Sequence, residues 1–252
     1  MTVQVRRLAG VLFDKDGTLI DFQETWGPAI HAMIIALAKG DTALVDAQAE
    51  ALHFSLDRKR FLPTSPIIAG STAEYGGTWG AALKRDDIAA LRQEIDAISA
   101  VESLKSLAPI DDPVAVFAAL RAMGLKIGIA TNDSEQSALR QIKALGLEPA
   151  VDFVAGYNSG HGGKPEPGMV LAFARLIGAD ASEVVMVGDS LHDLDAGRAA
   201  GALTVAVLSG PASRADLEPH ADIVVAHIGE LPALLETMLA NPLPALPQTG
   251  QG

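Results

Sequence analysis

Two aspartates, Asp14 and Asp16, follow a short apolar run near the beginning of the chain, in the string Asp-Lys-Asp-Gly-Thr. Because side chains alternate along a strand, both carboxylates are expected to point the same way, over the carboxyl edge of a sheet. Hard oxygen ligands of this kind suit magnesium, which shares its remaining positions with water and phosphate oxygens. One carboxylate could then attack phosphorus while its neighbour handles the proton. Taken alone, the pair has a simpler interpretation as a solvated junction between a strand and a turn.

Further polar blocks follow later in the chain, two of them directly after apolar runs. Thr131 and Asn132 offer a hydroxyl and the amides of a helix start, which can hold a phosphate oxygen or simply cap the helix. Lys164, set among glycines and prolines, could neutralise a nucleophile and a transferring group, or could be an exposed loop lysine. Asp189 and Asp193 add carboxylates after a buried run, and helix capping would explain one of them but not both. The blocks together favour a site for a divalent cation and a phosphate.

The elements that must position these residues alternate between strands and helices. Apolar runs are predicted as buried parallel strands over Leu8 to Phe13, Lys126 to Thr131, Val184 to Gly188, Leu203 to Val207 and Ile223 to Val225. Helical spacing is found over Pro113 to Met123, Glu135 to Leu145, Pro167 to Ile177 and Leu194 to Ala200, and Gly124, Gly146, Gly178 and Gly201 are the predicted stops. This alternation predicts an α/β fold with a doubly wound parallel sheet, whose ligands gather at the carboxyl ends of the strands.

The segment from Phe22 to Ser106 interrupts the alternation, because it looks helical throughout and contains no convincing strand. We predict a helical cap over residues 21–106, between core segments 1–20 and 107–240. Residues 241–252 are predicted to be a disordered tail.

Within the cap, Pro63 to Gly80 is predicted to be a loop or a series of short turns. It contains Tyr75 and Trp79, in a chain that has only two tyrosines and two tryptophans. These aromatic side chains either contact the leaving group of a substrate or pack between helices of the cap.

Composition narrows the classes of partner. The chain has 31 acidic and 19 basic residues and a formal charge of -12, which disfavours nucleic acid and anionic membrane surfaces. It has no cysteine, which excludes disulfides and thiolate nucleophiles. No apolar stretch is long enough to suggest a signal peptide or a transmembrane helix, so a cytoplasmic protein acting on a small molecule is predicted.

Four blocks in order, D-x-D-G-T-L, T-N-D, K-P-x-P and G-D-S-x-x-D-x-x-A-G-x-A-A-G, resemble the four signature motifs of the haloacid dehalogenase superfamily. The resemblance covers about residues 3–19 and 108–225, and the helical insertion is similar to the small α-helical cap of that family. Phosphoglycolate phosphatase-like members are the most similar. A phosphatase acting through an aspartyl phosphate is therefore the implied activity.

The resemblance also implies a role for each matched residue. Asp14 would be the nucleophile, and Asp16 would protonate the leaving group and then activate water. Thr131, with Asn132 beside it, would bind the phosphoryl group, and Lys164 would balance its charge.

The same resemblance implies a Mg²⁺ cofactor held by Asp14, the carbonyl of Asp16 and Asp189, with Asp193 supporting the site from close by. The expected substrate is a small phosphorylated metabolite, either phosphoglycolate-like or a sugar phosphate. Asp16 separates the chain from the dehalogenase branch, which lacks an aspartate at this position. A phosphosugar mutase of the same superfamily and a non-catalytic binding or regulatory protein are the alternatives.

Overall fold

A parallel sheet forms the centre of the protein in the computed structural model, which describes residues 8–68 and 70–240. In chain order the strands are β1 (Gly10–Phe13), β2 (Phe54–Ser55), β3 (Arg60–Phe61), β4 (Lys126–Ala130), β5 (Phe153–Ala155), β6 (Val184–Gly188), β7 (Leu203–Val207) and β8 (Ile223–Val225). The central sheet has the order β5-β4-β1-β6-β7-β8, and all its pairings are parallel. The predicted doubly wound α/β fold is confirmed.

Helices cover both faces of this sheet. In chain order the described helices of the whole protein are α1 (Phe22–Ala38), α2 (Thr42–Ala51), α3 (Thr72–Ala82), α4 (Ile88–Glu102), α5 (Pro113–Ala122), α6 (Glu135–Ala144), α7 (Gly168–Ile177), α8 (Leu191–Ala200), α9 (Arg214–Leu217) and α10 (Leu231–Ala240), of which α1 to α4 belong to the cap segment. The apolar side chains of α5, α6 and α10 pack on one face, and those of α7 and α8 pack on the other. Among the residues that the structure describes, no helix is both long and apolar enough to cross a bilayer.

Close packing fixes α7 against the middle of the sheet. A Cβ atom at Gly10 would come within 2.9 Å of the Phe173 ring, and one at Gly128 within 2.8 Å. Glycine at both positions therefore lets the ring lie directly on the strands. On the opposite face, Phe117 of α5 packs against Phe13 with ring centroids 4.9 Å apart. Burying a side chain of this size stabilises a fold by about 1.5–3 kcal/mol.

Strand order brings the polar blocks to one edge. Phe13, the last residue of β1, pairs with Ile129 of β4 and Val187 of β6, so the residues that follow these strands meet at the same carboxyl edge. The Asp14 N–H extends this register by donating to the Val187 carbonyl at 2.8 Å. The order of connections reverses beside β1, and such a switch point is where open α/β sheets bind ligands.

Some element bounds in the core differ from the predictions. The strand β5 was not predicted, because three residues give too little pattern to recognise. Helix α8 begins at Leu191 rather than Leu194, because Ser190 and Asp193 form a capping box at its start. Gly178 and Gly201 end their helices with φ values of 68° and 82°, as predicted.

The cap segment has an apolar core of its own, formed mainly by side chains of α1, α3 and α4. The prediction that it contains no strand is wrong, since β2 and β3 form an antiparallel hairpin in which Phe54 pairs with Phe61. A hairpin with strands of two residues leaves no run that alternation could reveal. The predicted tail at residues 241–252 lies outside the described residues, as do residues 1–7 and residue 69.

The prediction of a loop over Pro63 to Gly80 is correct only for its first half, because α3 begins at Thr72 with a capping box between Ser71 and Glu74. Glycine has a low helix propensity, and this helix contains several. Tertiary packing overrides that preference: a Cβ atom at Gly80 would lie 2.3 Å from the Ile88 side chain at the start of α4. The glycines thus allow α3 and α4 to approach closely.

The two scarce aromatics of this region have different environments. Trp79 is fully buried within the cap, and its indole N–H donates to the Gln48 side chain of α2 at 2.8 Å. Packing between cap helices is therefore correct for Trp79, and contact with a substrate is wrong. Tyr75 instead lines the cavity described below.

Candidate active site

Asp14 and Lys164 form a buried ion pair at the carboxyl edge of the sheet. The Lys164 ammonium donates to Asp14 Oδ1 and to Asp193 Oδ1, each at 2.5 Å. Asn132 holds the lysine in place, since its side-chain oxygen accepts from the Lys164 N–H and its nitrogen donates to the Lys164 carbonyl, both at 2.9 Å. Asn132 also lines the cavity, so its predicted contact with a phosphate stays a prediction.

Three buried carboxylates, from Asp14, Asp189 and Asp193, each offer an oxygen within 4.8 Å of the others. The Asp189 carboxylate lies against Gly17, where the backbone has a φ of 90° and a Cβ atom would come within 2.4 Å of Oδ2. Thr18 donates to Asp189 Oδ1 at 3.3 Å. Hard oxygen donors converging in this way fit a divalent cation such as magnesium or calcium.

The charges in this cluster are incompletely balanced. Burial raises the pKa of Asp14, the Lys164 ammonium lowers it, and the carboxylates of Asp193 and Asp16 raise it, so that the net pKa is about 7. Burial also raises the pKa of Asp189 well above its ordinary value, and Asp14 and Asp193 add to that effect. Burial lowers the pKa of Lys164, but the adjacent carboxylates outweigh it and raise the pKa overall. A bound divalent cation would relieve the repulsion among the carboxylates.

Asp193 has both of its oxygens engaged. Its Oδ1 accepts from Lys164, and its Oδ2 accepts from the Ser190 N–H at 3.0 Å and from the Ser190 hydroxyl at 2.6 Å. These contacts explain why it is fully buried at the start of α8. Asp193 is thus placed to fix Lys164 and the helix start, and its supporting role at a metal site stays a prediction.

The carboxylate of Asp16 lies outside the three-carboxylate cluster. Its Oδ1 accepts from the Trp26 indole N–H at 2.5 Å, and its Oδ2 accepts from the Lys15 ammonium at 2.6 Å and from the Thr131 hydroxyl at 3.3 Å. The Asp14 and Asp16 carboxylates thus have different partners, and the prediction that they share one cation site stays a prediction. Alternation applies only within a strand, and β1 ends at Phe13 before the chain turns at Gly17.

Lys15 and Trp26 are functional candidates that the sequence analysis missed. The Lys15 ammonium is buried 2.6 Å from Asp16 and 3.2 Å from Asp133, and it lies 5.2 Å from the centroid of the Trp26 ring. Burial lowers the pKa of Lys15, but Asp16 and Asp133 more than compensate and raise it. A lysine between two aspartates was a visible signal for Lys15, whereas nothing near Trp26 in the sequence pointed to this site.

A cavity of about 280 Å³ lies over these residues, between the sheet edge and the cap segment. The sequence-predicted site residues line its polar end: Asp14, Asp16, Thr131, Asn132, Lys164, Asp189 and Asp193. Its other walls include Phe22, Trp26 and Met33 of α1 and Leu191 of α8. The arrangement places a nucleophilic carboxylate, a cation and a second carboxylate around one space that a phosphoester could enter.

Comparison with known families agrees with this geometry. Residues 8–201 match the model of the haloacid dehalogenase-like hydrolases. The chain belongs to this hydrolase family. The match covers β1 through α8, and with it every site residue considered above.

Curated relatives that are similar to this hydrolase over most of its length are named as phosphatases. It is 30% identical to the N-acetylmuramic acid 6-phosphate phosphatase of Pseudomonas aeruginosa over 93% of its own chain and 98% of the relative. It is 32% identical to the phosphoglycolate phosphatase of Rhodospirillum rubrum over 84% of its chain and 83% of the relative. The predicted family and the prediction of a phosphatase are confirmed.

The fold is also shared with solved structures. The β-phosphoglucomutase of Clostridium difficile superimposes with a TM-score of 0.62 at 17% identity, covering 93% of this hydrolase and 97% of that chain. At this identity the likeness concerns the fold alone.

Proposed function

We propose that the protein is a magnesium-dependent phosphomonoester hydrolase that acts on a small phosphorylated metabolite through an aspartyl phosphate on Asp14. The observation that carries this proposal is the buried Asp14 carboxylate, held by Lys164 and gathered with Asp189 and Asp193 at the polar end of a cavity. The named activities of the curated relatives support a sugar phosphate or a phosphoglycolate-like substrate. A chain without cysteine suits the reducing cytoplasm, which is the location that we propose.

In the first step an Asp14 carboxylate oxygen attacks phosphorus, and the bond between phosphorus and the ester oxygen breaks. Asp16 gives its proton to that oxygen, so the leaving group departs as a neutral alcohol. The Lys164 ammonium, 2.5 Å from Asp14, orients the nucleophile and offsets negative charge on the phosphoryl group. Thr131 donates its hydroxyl hydrogen to a phosphoryl oxygen.

In the second step water attacks the phosphorus of the aspartyl phosphate. Asp16, now ionised, takes a proton from this water, and the bond between phosphorus and Asp14 breaks to release inorganic phosphate. One carboxyl group can serve both steps because the first leaves it in the state that the second requires.

Asp14 and Asp189 would hold the magnesium ion together with the backbone carbonyl of Asp16, as the family resemblance implies. Asp193 would keep Lys164 and Ser190 in place beside them. When bound, the ion polarises the phosphoryl oxygens and neutralises charge that the carboxylates alone would repel.

The test is release of inorganic phosphate from p-nitrophenyl phosphate by the purified protein, with magnesium and after treatment with EDTA. Turnover should require the metal and disappear in Asp14→Asn. Asp189→Ala should raise the magnesium concentration needed for half-maximal activity, whereas Asp195→Ala, an exposed aspartate on α8, should not. Full activity in EDTA, or an unchanged magnesium requirement in Asp189→Ala, would contradict the proposal.

Asp16→Asn tests the double role of Asp16. It should slow both formation and breakdown of the aspartyl phosphate, and hydrolysis should stall even with nitrophenolate, a leaving group that needs little protonation. Rapid-mixing measurements of nitrophenolate and phosphate release separate the steps. Rates near those of the wild type in both would refute the assignment.

A mutase differs only in the acceptor of the phosphoryl group. Given a sugar phosphate, a mutase returns an isomeric sugar phosphate, whereas a phosphatase releases free phosphate. The same assay, with the products separated chromatographically, decides between the two.

A further inference from the structure

The part of the cavity away from the phosphoryl site has apolar walls on both sides. The apolar side chains come from α1, from the turns before α3, from the start of α8 and from the loop after β7. The apolar residues of this wall are Phe22, Ile30, Met33, Ile67, Ile68, Leu191, Pro211 and Ala212. Ile30 and Met33 are almost completely buried, so this wall is an ordered apolar surface.

The charged side chains that line the cavity gather at its phosphoryl end. Lys164 is the only lysine or arginine among the described residues that line it, and its ammonium already contacts Asp14 and Asp193. The other ionisable groups of the lining are carboxylates, apart from the Tyr75 phenol and the His192 imidazole at the start of α8. A carboxylate on the leaving group would therefore lie at the apolar end of the cavity without a guanidinium or a second ammonium among the described lining residues, and burial without such a partner is strongly unfavourable.

We propose that the leaving group of the substrate is an uncharged alcohol with an apolar face, and not one that carries a carboxylate. This inference rests on the proposed phosphatase function and narrows its substrate class away from phosphoglycolate. An apolar leaving group gains binding energy at a distance from the reacting phosphorus, and that energy discriminates between substrates through kcat/KM. By area burial alone, each methylene group added inside the cavity raises kcat/KM by about fourfold.

The first experiment compares phosphate release from 2-phosphoglycolate and from its amide, which have the same shape and differ in charge. The amide should be hydrolysed with a kcat/KM at least tenfold higher. In a series of ethyl, propyl and butyl phosphates, kcat/KM should increase at each step by about fourfold. A preference for phosphoglycolate over its amide, or a flat chain-length series, would overturn the inference.

Variants locate the effect in the cavity wall. Ile68 is half-buried at the cavity and packs against the apolar core of the cap segment, so Ile68→Arg introduces a guanidinium at this wall and is used only if its urea unfolding matches that of the wild type. This variant should lower the preference for the amide at least tenfold, while Leu62→Arg, at an exposed position of the same segment, should leave it unchanged. An unaltered preference in Ile68→Arg would contradict the role of the wall. His192→Gln should leave the ratio of kcat/KM for the amide to kcat/KM for phosphoglycolate as in the wild type. A selective loss of phosphoglycolate turnover in this variant would show that His192 binds the carboxylate and would overturn the inference.

Turnover of p-nitrophenyl phosphate separates the phosphatase function from the preference for an uncharged leaving group. If this ester is hydrolysed with magnesium and phosphoglycolate is still preferred, the phosphatase function holds and the inference fails. If Asp14→Asn hydrolyses it as fast as the wild type, the proposed function fails and the inference fails with it.

Discussion

Asp14→Asn should stabilise the folded protein in the absence of metal, and the stabilisation should depend on pH. Burial and neighbouring carboxylates raise the pKa of Asp14 to about 7 despite the Lys164 ammonium. The fold therefore holds the neutral form more readily than the charged form. An asparagine is similar in shape to the neutral carboxyl group, so it avoids the cost of the buried charge at every pH.

The size of this effect follows from linkage. The pKa changes from 3.8 in the unfolded chain to about 7 in the fold, and each pH unit corresponds to about 1.4 kcal/mol. Above pH 7 the ionised Asp14 side chain therefore costs the fold about 4 kcal/mol. At about pH 5 the folded protein keeps its proton and the unfolded chain has lost it, so the cost falls to about 2 kcal/mol. Relative to the protein above pH 7, a protonated Asp14 therefore stabilises the fold. This stabilisation is fully present below the pKa of the unfolded chain and is lost as the pH rises through the pKa of the folded protein.

Urea unfolding in EDTA at about pH 8 and pH 5 measures this difference, with Asp86→Asn as a control at an exposed aspartate. Asp14→Asn should raise the free energy of unfolding by about 4 kcal/mol at the higher pH and about 2 kcal/mol at the lower one. Added magnesium should stabilise the wild type more than the variant. The ion offsets the repulsion among the clustered carboxylates, and the variant has lost the Asp14 carboxylate that would help to bind it. A variant that is less stable than the wild type at the higher pH, or equally stabilised at both, would refute the reasoning.

Three further substitutions test other contacts. Trp26→Phe removes the indole N–H that donates to Asp16, so kcat/KM should fall about tenfold more for alkyl phosphates, which need a proton on the leaving group, than for aryl phosphates. An equal fall for both would show that Trp26 does not act through the proton donor Asp16. Trp79→Phe removes a buried donor to the Gln48 side chain of α2, so urea unfolding should show a loss of about 1–3 kcal/mol with substrate preference unchanged. Gly17→Ala places a Cβ atom within 2.4 Å of Asp189 Oδ2 at a φ of 90°, and it should raise the magnesium requirement at least tenfold. An unchanged requirement would show that Asp189 tolerates displacement.

The carboxyl-edge residues could be predicted from local pattern alone. Asp14, Thr131 and Asp189 each follow a buried strand, and parallel strands bring such ends together whatever the details of packing. Lys164 was predictable for a different reason. Its K-P-x-P block lies between the T-N-D and G-D-S-x-x-D blocks, in the order of the family's signature motifs. The structure adds that its ammonium reaches Asp14 and Asp193.

The features that were missed depend on partners distant in the chain. Helix α3 forms despite its glycines because they let it pack closely against α4. Composition alone could not show that Trp79 and Tyr75 have different environments. Trp79 contacts Gln48 inside the cap segment, whereas Tyr75 lines the cavity.

The sequence by itself determined five of the six strands of the central sheet and their alternation with helices, the family, and the identity of the residues at the carboxyl edge. Only the tertiary structure decided the direction of Asp16, which turns to Lys15 and to Trp26 of the cap instead of joining Asp14. The physical reason is that alternation fixes side-chain direction only while the backbone remains a strand. Beyond Phe13 the direction depends on the turn at Gly17 and on donors that folding brings from another segment.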